Sequence, residues 1–112
     1  MSSSDFEALC QAKPLIKRVV INDNGHGRIV YVRGLLAEDF DALQKAISKT
    51  GTDQLVGIAQ LTLCDENGEL LAIGDDGANR LRKMSLKWLT QIAMAGAEVN
   101  GSAIDDEDGE GN

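Results

Sequence analysis

Few side chains in this chain are of types that do covalent or metal chemistry, and their spacing suits it poorly. His26 is the one histidine. It falls in Asn22-Asp-Asn-Gly-His-Gly27, where a turn offers neither the pocket nor the orienting partner that acid–base work needs. Cys10 and Cys64 stand far apart without C-x-x-C spacing, so a zinc site lacks ligands. Asp65-Glu-Asn-Gly-Glu69 invites a calcium reading, yet its glycine comes too early for an EF-hand loop and the closing bidentate glutamate is missing. Asp106-Glu-Asp-Gly109 fails in the same way. No serine, threonine, cysteine or lysine nucleophile has a partner arrangement, and no glycine-rich phosphate loop occurs. Arg80, Arg82, Lys83 and Lys87 form the only basic cluster. At helical spacing it reads as a solvated rim, with a dock for an acidic partner as the functional alternative. The chemistry therefore points to a protein that is no enzyme and carries no cofactor or metal.

Composition narrows the class further. A chain of 112 residues with 43% apolar content suits one domain with its own core. Aromatic content is only 4%, too little for base-stacking platforms. The net charge of −7 argues against binding nucleic acid or an anionic membrane. Asp105, Asp106, Glu107, Asp108 and Glu110 supply much of that charge. With those five set aside, thirteen acids face eleven bases, so the body is nearly neutral and the acidity is a tail. No apolar run approaches the roughly 20 residues of a membrane span, and no export signal opens the chain. The two cysteines then read as small buried or half-buried hydrophobes in a reducing cytoplasm.

Positioning falls to the stretch Arg28 to Ile47. Its first residues, Arg28-Ile-Val-Tyr-Val-Arg33, suit a half-buried strand. Beyond Gly34 the period changes, and Leu36, Phe40, Leu43 and Ile47 fall on one helical face. Leu15 to Ile21 pairs with Arg28 to Arg33 as a hairpin about Asn24-Gly25. Gly27 permits a bulge, which would set Ile21 opposite Ile29, Val19 opposite Tyr31 and Val20 opposite Val30. The tight register would set Ile21 opposite Arg28, so the bulged one is expected. That hairpin is apolar on both faces near its tip. Either helices cover both faces, or another subunit completes an edge or a face.

Around the hairpin the expected helices are short. Ser4 caps one over residues 5–12, with Phe6, Leu9 and Cys10 inward, ended by Pro14. The second runs from Ala37 to Lys49 and stops at Gly51. The third runs from Asp53 to near Cys64, followed by a turn at Asn67-Gly68. A second hairpin through Leu61, Leu63 and Leu70 to Ile73 is the alternative. Asp75 or Asp76 caps a fourth helix to about Lys83. Ser85 caps the last, with Met84 and Leu89 as a hydrophobic staple. That helix ends at Asn100-Gly101; Trp88, Leu89, Ile92 and Val99 make its stripe, and Ala93, Gly96 and Ala97 a small-residue surface. Residues 1–101 are thus expected as one α+β domain, an N-terminal β-hairpin packed with about four α-helices. Ser102 to Asn112 reads as a disordered acidic tail.

The order of parts resembles a known family. A hairpin ends in Val30-Tyr-Val-Arg-Gly-Leu35, and an acidic-start helix follows with Phe40, Leu43, Gln44 and Lys45. A helix then runs into Leu63-Cys-Asp-Glu-Asn-Gly-Glu-Leu-Leu71. A short Asp-led segment passes through Leu81, and Met84-Ser85 opens a last helix closing in Val99-Asn-Gly101. From Leu15 to Gly101 this is similar to the tail assembly chaperones of long-tailed bacteriophages, encoded ahead of the tape measure protein. In such proteins a capping Ser or Thr often follows the Gly-Leu pair, where this chain has Leu36. The resemblance implies a non-enzymatic protein of the host cytoplasm that self-associates, binds the tape measure protein to keep it soluble, and is absent from the mature virion. The tail tube protein is a further implied partner, and neither nucleic acid nor membrane is one. Excess apolar surface on the hairpin and last helix marks Val20, Val30, Tyr31, Val32, Trp88, Ile92 and Gly96 as the candidate interaction residues. The rival reading is an acidic inhibitor that mimics nucleic acid, which would need its carboxylates spread over a folded face.

Overall fold

A computed structural model describes residues 1–101, the side chain of Asp23 excepted. Helix α1 (Ser3–Gln11) precedes strands β1 (Ile16–Asp23) and β2 (His26–Arg33). A 3-10 turn (Ala37–Asp39) leads into α2 (Phe40–Ser48), followed by α3 (Thr52–Thr62), β3 (Leu63–Cys64), α4 (Gly74–Arg82) and α5 (Leu86–Val99). The class is α+β, as the sequence implies. Among the described residues no helix is long and apolar enough to cross a membrane.

The three strands form an antiparallel sheet in the order β1-β2-β3. Asn24 and Gly25 both take positive φ, 53° and 84°, the geometry of a tight two-residue turn whose twist matches the strands. The expected bulge is therefore absent. Ile21 lies opposite Arg28, Val20 opposite Ile29, Val19 opposite Val30 and Arg18 opposite Tyr31. The pairing that argued against this register is accommodated from outside the hairpin. Arg28 swings its guanidinium to 5.8 Å above the Trp88 ring centre, so the cation leaves Ile21 to the core and gains an aromatic face.

After α3 the chain does two things the sequence offered as alternatives. The helix runs to Thr62, and Leu63 and Cys64 then pair with Val32 and Tyr31 as a third strand. Asp65 turns the chain, its carboxylate accepting from the backbone N–H of Asn67 (2.8 Å) and Glu69 (3.0 Å), and Leu70 bridges back to Cys64. Those carboxylate lone pairs are spent on the turn itself.

Several helix starts differ from expectation for local reasons. Ser2, not Ser4, caps α1, because Asp5 three residues on completes a reciprocal capping box with it. Leu36 has no oxygen to offer α2, and the Asp39 carboxylate instead accepts from the Leu36 N–H (3.1 Å) across the 3-10 turn. Helix α4 starts at Gly74, placing Asp75 and Asp76 inside the first turn rather than at the cap. Two glycines let α3 pack closely on both sides. A Cβ on Gly57 would come within 2.8 Å of the Ala46 Cβ, and one on Gly96 would collide with the Thr62 side chain. Around this crossing sit the buried Val32, Val56, Ala59, Leu63, Leu89 and Ile92.

Candidate interaction surface

The tight register sorts the hairpin side chains cleanly. Val19, Ile21, Val30 and Val32 point toward α5 and pack in or against the core, with Ile21 and Val32 fully buried. Arg18, Val20, Asn22, Ile29 and Tyr31 point the other way. Among the described residues no helix covers that second face near the tip: Val20 and Ile29, directly opposed, are each 52% exposed. One layer of helices covers one face of the sheet, and the outer face is left apolar.

The edges are handled unequally. Gln91 on α5 reaches the free edge of β1 and takes both peptide groups of Asn22, accepting from its N–H (2.9 Å) and donating to its carbonyl (2.6 Å). The side-chain amide does there what a neighbouring strand would do. Val20 and Arg18, two and four residues earlier, present their peptide groups along the same edge. On the other side β3 pairs only with Tyr31 and Val32. Past its end a groove of about 610 Å³ opens, lined by Val30, Leu63, Leu71, Met84, Trp88 and Ile92 with Arg28, Asp65 and Glu66 among its polar lining. The Trp88 Nε1 is buried there with no hydrogen-bond partner among the described residues.

The base of the hairpin is pinned. The Asn100 carboxamide accepts from the Leu35 N–H (2.7 Å) and donates to the Gly96 carbonyl (2.9 Å), tying the end of α5 to the end of β2. Gly34 N–H donates to the Leu15 carbonyl (2.8 Å), so pairing extends just below the strands.

Of the seven residues marked from sequence, Val30, Tyr31, Trp88 and Ile92 share the groove and the other three lie elsewhere. Val20 stands on the open outer face, and Tyr31 is half-buried on the same side. Val30, Tyr31, Trp88 and Ile92 line the groove, the last of these almost wholly within the core. Val32 is fully buried, and Gly96 is covered by Thr62. Ile29 was missed; its alternation with Tyr31 would have marked it once the tight register was adopted. Phe6 and Leu9, expected to face inward, are 60% and 63% exposed, and none of α1 is buried. Cys10 is exposed with them, whereas Cys64 is buried and its burial pushes the thiol pKa up. Arg82 pairs with Asp53 at 2.9 Å, a partly exposed contact that occupies one member of the basic cluster. No group of histidine, cysteine and carboxylate side chains able to hold a metal occurs among the described residues.

No family model matches the chain. Its fold does match a solved structure, that of the bacteriophage HK97 tail assembly chaperone, with a TM-score of 0.51 over 83% of this chain and 94% of that one. The fold is that of a phage tail assembly chaperone. Identity between the two is only 16%, so the likeness is one of fold.

Proposed function

We propose that this chain is a phage tail assembly chaperone that associates with copies of itself and binds the tape measure protein, keeping that long chain soluble in the host cytoplasm until the tail is assembled. The observation that carries the reading is the shared fold. The open apolar surface supports it: Val20 and Ile29 are half exposed on a sheet face that no helix among the described residues covers. Such a face is costly to leave in water and useful only to something that covers it. The other features fit a binding protein. Asp5 and Asp39 cap helix starts, Asp65 holds a turn, and Lys17–Glu98 and Arg82–Asp53 form exposed ion pairs.

The test is co-expression with the tape measure protein and sedimentation of the purified chain. The expected results are species larger than the monomer that grow with concentration, and recovery of the tape measure protein in the soluble fraction bound to this chain. A strict monomer at high concentration that neither solubilises nor co-purifies with the tape measure protein overturns the reading. Val20→Asp, which places a charge on the outer face without entering the core, should weaken association while the circular dichroism spectrum is kept. Val30→Asp tests something else: Val30 points inward, so that substitution should unfold the hairpin.

A further inference from the structure

Among the exposed apolar side chains of the described residues, two groups stand out. The first is the outer sheet face, with Val20 and Ile29 at its centre and Tyr31 beside them. The second is α1, whose Phe6 and Leu9 lie one turn apart on a nine-residue helix with no buried residue. A helix of that length is marginal in water by itself. Its capping box holds the first turn together, but the apolar side chains need a surface to make the helix persist.

Charge matches the two surfaces to each other. Between Ser3 and Gln11 the helix carries Asp5 and Glu7 and no cation. The outer face carries Arg18, exposed and without an ion-pair partner among the described residues. Geometry keeps them apart within one chain. Ala12 is extended (φ −66°, ψ 135°), Lys13 is held extended by the proline after it and Pro14 has a fixed φ. Leu15 is already hydrogen-bonded to Gly34. The linker starts at the foot of the sheet, where Lys13 and Pro14 lie beside Ile16, Arg33 and Gly68, whereas Val20 and Ile29 lie toward the tip. Reaching them in the same chain would require a full reversal within about three residues of extended backbone.

We propose that α1 of one copy lies across the outer sheet face of a second copy, with Phe6 and Leu9 covering Val20 and Ile29 and the helix carboxylates beside Arg18. The contact rests on the self-association proposed above and names the segment and the face that make it. Because helix and face are different surfaces, the joint is heterologous. Two copies can exchange arms reciprocally, or successive copies can hand them on around a ring.

Cys10, exposed on α1, supplies a native cross-linking probe. Full-length chain is mixed with a larger-tagged copy carrying Cys10→Ser and Val20→Cys, oxidised mildly and run on a non-reducing gel. The expected result is a mixed disulfide formed several-fold more than with Lys45→Cys, a control on the exposed side of α2. A mixed disulfide no more abundant than the control overturns the proposal. So does a purely intramolecular bond in a chain carrying both Cys10 and Val20→Cys, which would put α1 on its own sheet. Phe6→Asp with Leu9→Asp alters only exposed positions. It should shift sedimentation toward monomer with the melting temperature of the body unchanged. If this double variant assembles like the parent and still co-purifies with the tape measure protein, the arm contact fails and the chaperone reading stands. If the parent itself is monomeric and does not bind that protein, both fail.

Discussion

Gly96→Ala separates packing from helix propensity, because the two act in opposite directions at that position. On an exposed helix face the change should stabilise α5 by about 1 kcal/mol, since alanine loses less backbone freedom. Here the new methyl would meet Thr62, with its Oγ1 in collision and its Cβ and Cγ2 at 2.9 and 3.1 Å. Thr62 cannot turn aside cheaply. It is fully buried, and its hydroxyl donates to the Ile58 carbonyl at 2.8 Å. Relief must come from moving α5 away from α3, and overpacking of this kind costs about 1–3 kcal/mol. Set against the propensity gain, the net expectation is a loss of up to about 2 kcal/mol, read as a lower denaturant midpoint at unchanged slope. In a Thr62→Ala background the same substitution should cost at least about 0.5 kcal/mol less, because the colliding atoms have gone. Stabilisation of the parent by Gly96→Ala would refute the close α3–α5 crossing. It would also return Gly96 to the surface, where it was first placed as an interaction residue.

Three further outcomes are open to measurement. Leu43→Ala and Leu89→Ala, at positions 3% and 2% exposed, should each lower unfolding free energy by about 2–5 kcal/mol in urea titrations; a loss below about 1 kcal/mol would mean the helix is wrongly phased. In native protein Cys10 should react with a thiol reagent at once and Cys64 only on unfolding, since Cys64 is buried and its raised pKa leaves less thiolate at any given pH; equal native rates would contradict its burial. Arg28→Ala should open the one tryptophan to solvent, shifting Trp88 emission to the red and increasing acrylamide quenching, because the guanidinium lies over that ring.

Much of this architecture can be read from local signals, and the errors share a cause. Asn24-Gly25 marks the hairpin turn, and the stripe through Leu89 and Ile92 marks the buried side of α5. The register was misjudged because Arg28 was treated as a charge needing water. Its partner is an aromatic ring sixty positions away, which no pairwise comparison of two strands contains. The third strand stayed one of two alternatives because two residues are too few to show a period, and Leu63-Cys64 follow a helix without any turn residue between. For α1 the failure is of another kind. Phe6 and Leu9 have helical spacing, which predicts an apolar side but not what covers it. The acidic segment from Ser102, including its expected disorder, lies outside the described residues. The candidate site was only half legible: Val20 and Tyr31 lie on the open side, while Gly96 packs on Thr62 and Ala93 beside Ala46 and Ile58.

Asn100 has a consequence for how the chain could be rewired. By holding the end of α5 against Leu35 while Leu15 pairs with Gly34, the fold brings the start and finish of its compact part together at the foot of the hairpin. A short linker from Gly101 to Pro14 could close the chain there, with new ends cut at Asn24-Gly25, a turn that touches nothing else near Gly25. Such a permutant would drop α1, keep the packing of α2 to α5 on the sheet, and free the tip. An appended tag would then sit roughly 25 Å from its usual place, the length of an eight-residue strand.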